Sequence, residues 1–289
     1  MSIWWPSPSA TSSARPPARR RPDHRPVATI NASNSLAFRE AADPDDPEVT
    51  VPDYLAQTYT WAYLRPRAVR LLDRELIVNA ILWGNYPRLV RAACAQFRPG
   101  EQVLQAASVY GSQPLRLADH LGPAGRLTVI DVSRLQVEHL RAKLATRANA
   151  SVRLADATAP GHERYDGVCC FFLLHEMPDS YKRRAVNALL ARLKPGGRAV
   201  FVDYAAPSRF HPLRGLMWLV NRWLEPYAAS LWRNPIPSFA DEAGLFHWSE
   251  RRLFLGLYQI VVARRRGPVR HRRAHLRYAE PRPERSSPL

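Results

Sequence analysis

His175 and Glu176 set an imidazole beside a carboxylate at the end of an apolar run that extends from Tyr165 to Leu174. That pair can move a proton or hold a hard divalent ion such as Mn2+ or Mg2+. Asp203 and Tyr204 close a second apolar run in the same way, and the four together form the candidate catalytic set. Adjacent residues on an extended chain face opposite ways, so His175 and Glu176 serve one site only where the strand is already turning. The plainer alternative is a helix N-terminus, where Glu176, just before Pro178, favours the helix dipole. Asp131, Asp156 and Gln105 end three further runs. A strand-end acid can accept hydrogen bonds from ribose hydroxyls, and Asp156 could receive an adenine amino group. Turn and capping roles suit both aspartates as well.

These ends need a scaffold, and residues 101–131 supply its pattern. Val103 to Ala107 is too short for a helix, Gly111 marks a sharp turn, and Ser112 to Leu121 has helical content. Gly122, Pro123 and Gly125 stop that helix; Arg126 to Ile130 is a second short strand, closed by Asp131. Such a unit is one mononucleotide-binding half of a doubly wound sheet. Its turn, Ala107-Ser108-Val109-Tyr110-Gly111, is neither G-x-G-x-x-G nor a P-loop ending in Lys-Ser or Lys-Thr. The nucleoside ligand that remains, having no pyrophosphate, is S-adenosylmethionine. Gln105, Ala107, Tyr110, Gly111, Asp131 and Asp156 are its candidate contacts.

Further β-α units follow. Ser133 to Gln136 reads as a capping box, Val152 to Leu154 as a third strand, and Val186 to Leu193 as a helix before Lys194-Pro195-Gly196-Gly197. Ala199 to Val202 is a fifth strand, and Trp248 to Val262 reads as a hairpin around Gly256. The expected fold is α/β and Rossmann-like: an open, mostly parallel sheet with a C-terminal antiparallel hairpin, preceded by a helical N-terminal extension.

The expected division is a Pro/Arg-rich disordered leader (1–47), an aromatic helical extension (48–98), the sheet domain (99–263) and a basic disordered tail (264–289). The extension carries Val69, Leu72, Leu76, Ile77, Ala80 and Ile81 at helical spacing. It either covers the cleft as a lid, with Tyr63, Trp83 and Tyr86 against the substrate, or packs on the sheet. An insertion, 205–242, contains a helix near Leu213 to Leu224 rich in Leu and Trp, suited to a bilayer interface or to ordinary core.

Composition narrows the classes. Three cysteines without C-x-x-C spacing argue against a disulfide scaffold or thiolate zinc site and for a reducing compartment. No stretch reaches the ~18 apolar residues of a spanning helix. Residues 1–26 lack the apolar core of a secretory signal, and their prolines oppose an amphipathic presequence. The formal charge of +17 is concentrated in part from Arg264 onward, where nine arginines face two glutamates. That tail suits an anionic membrane surface or simple solvation. It has too few aromatics, only Tyr278, for a nucleic-acid groove.

The chain resembles class I S-adenosylmethionine-dependent methyltransferases over residues 99–263, through Leu193-Lys-Pro-Gly-Gly197 and the strand-end acids. More narrowly it resembles the rhodoquinone-biosynthesis methyltransferase-like family (RquA type). That resemblance lies in residues 51–86, VLQAASVYG (103–111), FFLLHEMP (171–178), VDY (202–204) and HPLR (211–214). It implies conversion of ubiquinone to rhodoquinone, an amino group replacing a ring methoxy, with S-adenosylmethionine as nitrogen donor and a divalent metal such as Mn2+. It also implies a cytoplasmic enzyme held at the inner respiratory membrane. Ser112-Gln113 follows Gly111 where that family leads one to expect an acid. The alternatives are an ordinary methyltransferase acting on a quinone or other apolar substrate, and a non-catalytic ligand-binding relative. The glycines replaced at the first turn are the best argument for the latter.

Overall fold

The computed structural model describes residues 50–58, 73–107, 110–223 and 225–266. Ahead of the sheet come α1 (Asp53–Thr58), α2 (Glu75–Ile81) and α3 (Tyr86–Cys94). Then β1 (Gln102–Ala106), α4 (Gln113–Leu121), β2 (Arg126–Asp131), α5 (Arg134–Leu144), β3 (Ala150–Leu154) and β4 (Tyr165–Phe171) alternate. A 3-10 turn at Leu174–Glu176 leads to α6 (Asp179–Ala191) and β5 (Leu193–Tyr204). After α7 (Arg214–Trp223) and three more 3-10 turns, β6 (Phe246–Leu253) and β7 (Tyr258–Arg265) finish the sheet.

The sheet order is β3-β2-β1-β4-β5-β7-β6, with β1 to β5 parallel and β7 antiparallel to both β5 and β6. This matches the fold expected from the sequence. β1 and β4 lie at the centre, where the order reverses, so a ligand crevice forms beyond their carboxyl ends. Being covered on both faces, β4 buries Cys169 and Phe171 in one hydrophobic cluster and Val168 and Cys170 in the other.

Two glycines admit aromatic rings. A Cβ at Gly167 in β4 would stand 2.5 Å from the Phe97 ring, and one at Gly111 would stand 2.5 Å from Tyr86 Oη. Gly111 also has φ +95°, a conformation costly for any other residue.

Several boundaries differ from those read in the sequence. β4 stops at Phe171 because Phe172 takes φ 52° and turns the chain. β7 runs to Arg265, so Arg264 and Arg265 belong to the sheet rather than to the tail. In α2 the helical spacing misleads about direction: Leu76 and Ile81 are 83% and 53% exposed, while Val78 is buried. The leader, the tail beyond Arg266, Tyr63, Val69 and Leu72 lie outside the described residues.

Candidate active site at the carboxyl ends of the strands

The turn after Phe172 decides how the site is built. The 3-10 turn swings His175 and Glu176 to the same end of the molecule, which an extended strand could not do. Asp203, 1% exposed at the end of β5, anchors that turn. Its Oδ2 accepts the backbone N–H of Leu174 (2.9 Å) and of His175 (3.2 Å), and its Oδ1 accepts that of Tyr204 (2.8 Å). His175 Nδ1 stands 2.9 Å from the same Oδ1, an ion-pair contact that lacks hydrogen-bond angles. On the other side of the ring, Nε2 lies 3.9 Å from Glu176 and 4.0 Å from Glu225.

Burial alone would lower the His175 pKa. The carboxylates of Asp203, Glu225 and Glu176 outweigh it and raise the value to about 9. At neutral pH the ring is an imidazolium: a proton donor and a fixed positive charge. Among the described residues no group of three His, Cys, Asp or Glu side chains could hold a metal ion. His175 and Glu176 therefore do not fit the Mn2+ expected of them. Tyr204 packs edge-on against His175, with centroids 5.0 Å apart, and burial holds its hydroxyl far above the ordinary pKa. It stays protonated.

Beside this cluster lies a cavity lined by Ala107, Asp131, Ser133, Gln136, Asp156, Phe172 and Glu176, among others. Its walls come from the ends of β1, β2, β3 and β4, which brings four of the expected ligand contacts and catalytic residues together. Asp131 Oδ1 accepts the Ser133 N–H (2.9 Å), and Asp156 Oδ1 accepts that of Thr158 (2.7 Å). Each carboxylate is thus braced by a local turn. Ser133 caps α5 by accepting the Gln136 N–H at 3.4 Å, but its own N–H is taken by Asp131. The reciprocal half of the capping box is absent, and Gln136 Nε2 instead donates to Tyr110 Oη (3.1 Å).

Gln105 is fully buried; its Nε2 donates to the Ala107 carbonyl, while its Oε1 has no hydrogen-bond partner. Gln105 does not itself line the cavity; it is bonded to Ala107, which does, and the carboxylates on the wall are those of Asp131, Asp156 and Glu176. Ala107 holds φ 58° without being glycine.

Other expected contacts stand elsewhere. Tyr110 is buried behind Gln136. Tyr86 is 0% exposed, and its Oη accepts the Gln113 N–H at 2.7 Å, so it is a core support of the turn, not a substrate contact. Trp83 is 39% exposed on the α2–α3 turn, away from the cavity lining. The aromatic cover comes from α1: Pro52, Tyr54 and Leu55 line the cavity, and Tyr54 meets Tyr181 and Tyr227 edge-on at 4.8 and 6.3 Å. The enclosed space is about 50 Å3, against ~300 Å3 or more for an ordinary ligand pocket.

Sequence reading missed Gln136, Glu225 and Asp73. Asp73 supplies from the preceding segment the carboxylate that the first turn lacks. It accepts the Gly111 N–H (2.9 Å), pairs with His139 (2.7 Å) and contacts Lys143, which also donates to the Gly111 carbonyl. No local motif signals a contact across so many residues.

A switch-point crevice with strand-end carboxylates is the arrangement of class I S-adenosylmethionine-dependent methyltransferases, and the comparisons with known proteins support that superfamily. Residues 103–197 match the methyltransferase domain family. Curated relatives include the ubiquinone/menaquinone biosynthesis C-methyltransferase UbiE of Ectopseudomonas mendocina, 27% identical over 140 residues, 46% of this chain and 54% of that protein. The UbiE of Pseudomonas aeruginosa matches equally, at 27% over 141 residues, with the same 46% and 54% shares. The chain thus spans about half the length of the curated relatives it matches. An O-methyltransferase family protein of Burkholderia thailandensis superposes with TM-score 0.54 at 17% identity, covering 70% of this chain and 60% of that one. The pyocyanin biosynthetic protein PhzM gives 0.55 at 14%, covering 72% and 61%. These structures show the fold.

Proposed function

We propose that the chain converts ubiquinone to rhodoquinone, replacing a ring methoxy with an amino group drawn from S-adenosylmethionine. The observation that carries this reading is Gln105, a buried neutral amide with a lone oxygen at the position where methyltransferases of this class hold an acid. A carboxylate beside an amine raises the amine's pKa. An α-amine titrates near 8 and is nucleophilic only when unprotonated. A neutral acceptor binds the amine without tightening its hold on the proton.

The surrounding residues supply the rest. Glu176, on the cavity wall, takes the proton that the amine loses on adding to the methoxy-bearing ring carbon. The His175 imidazolium gives a proton to the departing methoxy, which leaves as methanol. Asp203 keeps that ring charged and oriented. The bond from the transferred nitrogen to the donor's α-carbon must then break with its electron pair staying on nitrogen, which takes up a proton. The donor loses a β-proton and departs as the α,β-unsaturated acid. The quinone relatives and the resemblance of residues 51–86 and 171–178 support the quinone as substrate.

A second reading, methyl transfer to a quinone ring carbon, is favoured by the name of the curated relatives. It needs a ring carbon bearing hydrogen, which ubiquinone lacks. S-adenosylmethionine labelled with ¹⁵N at the amine and ¹³C at the methyl separates them. We expect ¹⁵N in the quinone product of ubiquinone, with no ¹³C. Label at ¹³C alone, in a quinol with an open ring position, establishes the second reading. Tight binding by calorimetry without turnover on either substrate points to a non-catalytic protein.

A further inference from the structure

Among the described residues, large apolar side chains are exposed in one region far more than in any other. Of the ten exposed large hydrophobics among the described residues, five fall between Phe210 and Trp223. Phe210 is 78% exposed, and Leu216, Trp218, Leu219 and Trp223 are 43%, 61%, 47% and 73% exposed on α7. Helical geometry puts these four α7 residues on one arc, opposite the buried Met217 and Asn221. Leu255, 64% exposed in the β6–β7 turn, joins them, because Ser208 N–H donates to its carbonyl. This region lies beyond the carboxyl ends of β5 and β4, the end at which the cavity is built. The α2 residues Leu76 and Ile81 and neighbouring Trp83 are exposed beyond β1, at the same end. Among the described large apolar residues only Leu245 is exposed at the opposite end, beside Phe246, the first residue of β6.

A helix apolar on both faces is ordinarily buried, so the outer face of α7 is suited to a cover. Its charge indicates what. Residues 205–224 contain Arg209, Arg214 and Arg222 and no acidic residue. The guanidinium of Arg209 stands 4.6 Å from the Phe210 ring, and that of Arg222 stands 5.5 Å from Trp223. Each cation therefore sits at the margin of an apolar group, the arrangement of side chains that span the boundary between acyl chains and headgroups. A second copy of the chain meeting this face by two-fold symmetry would bring the arginines toward one another.

We infer that the carboxyl end of the sheet, through α7, Phe210 and Leu255, docks on an anionic phospholipid bilayer. The site thereby faces the membrane, and an apolar substrate enters it from the acyl-chain region. The inference does not depend on which group the enzyme transfers.

Sedimentation with phosphatidylglycerol–phosphatidylcholine vesicles tests it, using the full chain. The wild type should pellet with the vesicles, less so as salt rises or when phosphatidylglycerol is omitted. Leu219→Asp combined with Trp223→Asp should weaken partitioning by at least about tenfold. Leu245→Asp, exposed at the other end, should leave it unchanged. Both α7 side chains point outward, so the double variant should melt as the wild type does, and circular dichroism checks this. Wild-type protein left in the supernatant, or a double variant that pellets equally well, overturns the inference. So does a wild-type dimer that the double variant converts to monomer without vesicle binding, since that makes the face a protein interface. Equal binding to neutral vesicles removes the anionic part of the claim.

Discussion

The two ends of the sheet treat charge in opposite ways. At the amino end, Arg198 and Glu101 form a bidentate pair at 2.6 and 2.8 Å, and Arg198 also donates to the Gln96 carbonyl. Lys194 pairs with Asp166, which in turn accepts the Gln102 N–H. Burial would raise the Glu101 pKa, yet Arg198 holds it below the ordinary carboxylate value. At the carboxyl end, three carboxylates surround a single imidazolium. The buried polar atoms without partners there include both amide atoms of Asn221, the Gln105 and Gln113 Oε1 atoms and the Tyr258 hydroxyl. The positive-φ residues other than glycine, among them Ala107, Phe172, Phe254 and Leu255, gather at that end as well. The amino end pairs its charges within the fold and, among the described residues, leaves only nitrogen donors such as the Arg198 Nε over. The other stores strain and unspent hydrogen-bonding capacity, as functional sites do.

The sharpest way to break this contrast is to disable each end in turn. Asp203→Asn removes a buried charge that accepts three backbone N–H groups and faces His175. Loss of one member of such a pair should cost about 3–5 kcal/mol by urea unfolding, and turnover should fall below detection. Replacing Arg198 and Glu101 together by Met and Leu should change stability by less than about 1 kcal/mol, because apolar groups of similar size can stand in for a buried ion pair. Its turnover should be retained. Equal losses from both changes would erase the distinction.

A gentler probe is pH. The folded-state pKa of His175, about 9, lies above its unfolded value near 6.5. Its contribution to stability is therefore complete below pH ~6.5 and disappears as pH rises through about 9. Unfolding midpoints in urea should fall across that window for the wild type and much less for His175→Gln. A wild-type midpoint that rises or stays level there would mean that the carboxylates do not hold the proton.

Much of the frame was legible because local chemistry wrote it. Gly111, Gly122 and the short apolar runs mark the first β-α-β unit, and Asp131 and Asp156 fall at strand ends on the cavity wall. What was not legible depends on contacts between distant residues. Tyr86 was expected against a substrate because it is aromatic and lies in an aromatic segment. Its burial follows from Gly111, whose missing Cβ leaves room for the phenol. For His175 the sequence offered proton movement or metal holding, because it cannot show that Asp203 and Glu225 converge on the ring. Leu76 and Ile81 fit an inward helical stripe, but a seven-residue helix has too few turns for spacing to fix which side is inner.

Asp73 offers the finest test, within the carboxyl end itself. Its carboxylate binds the first turn through Gly111 and Lys143, with a side chain only 14% exposed. Glu75, two residues on, pairs with Arg116 across the same turn, but the two side chains are 39% and 53% exposed. Water screens that outer pair, so Glu75→Gln should cost no more than ~0.5 kcal/mol. Asp73→Asn keeps an acceptor for the Gly111 N–H but loses the charge facing Lys143, and should cost about 1.5 kcal/mol. The turn it holds carries Gly111 and leads from Gln105, so S-adenosylmethionine should also bind several-fold more weakly by calorimetry. If Asp73→Asn were as mild as Glu75→Gln in both measurements, the first turn would be held by Tyr86 and Gly111 packing alone. The carboxylate reaching in from the preceding segment would then be a surface charge like its neighbour.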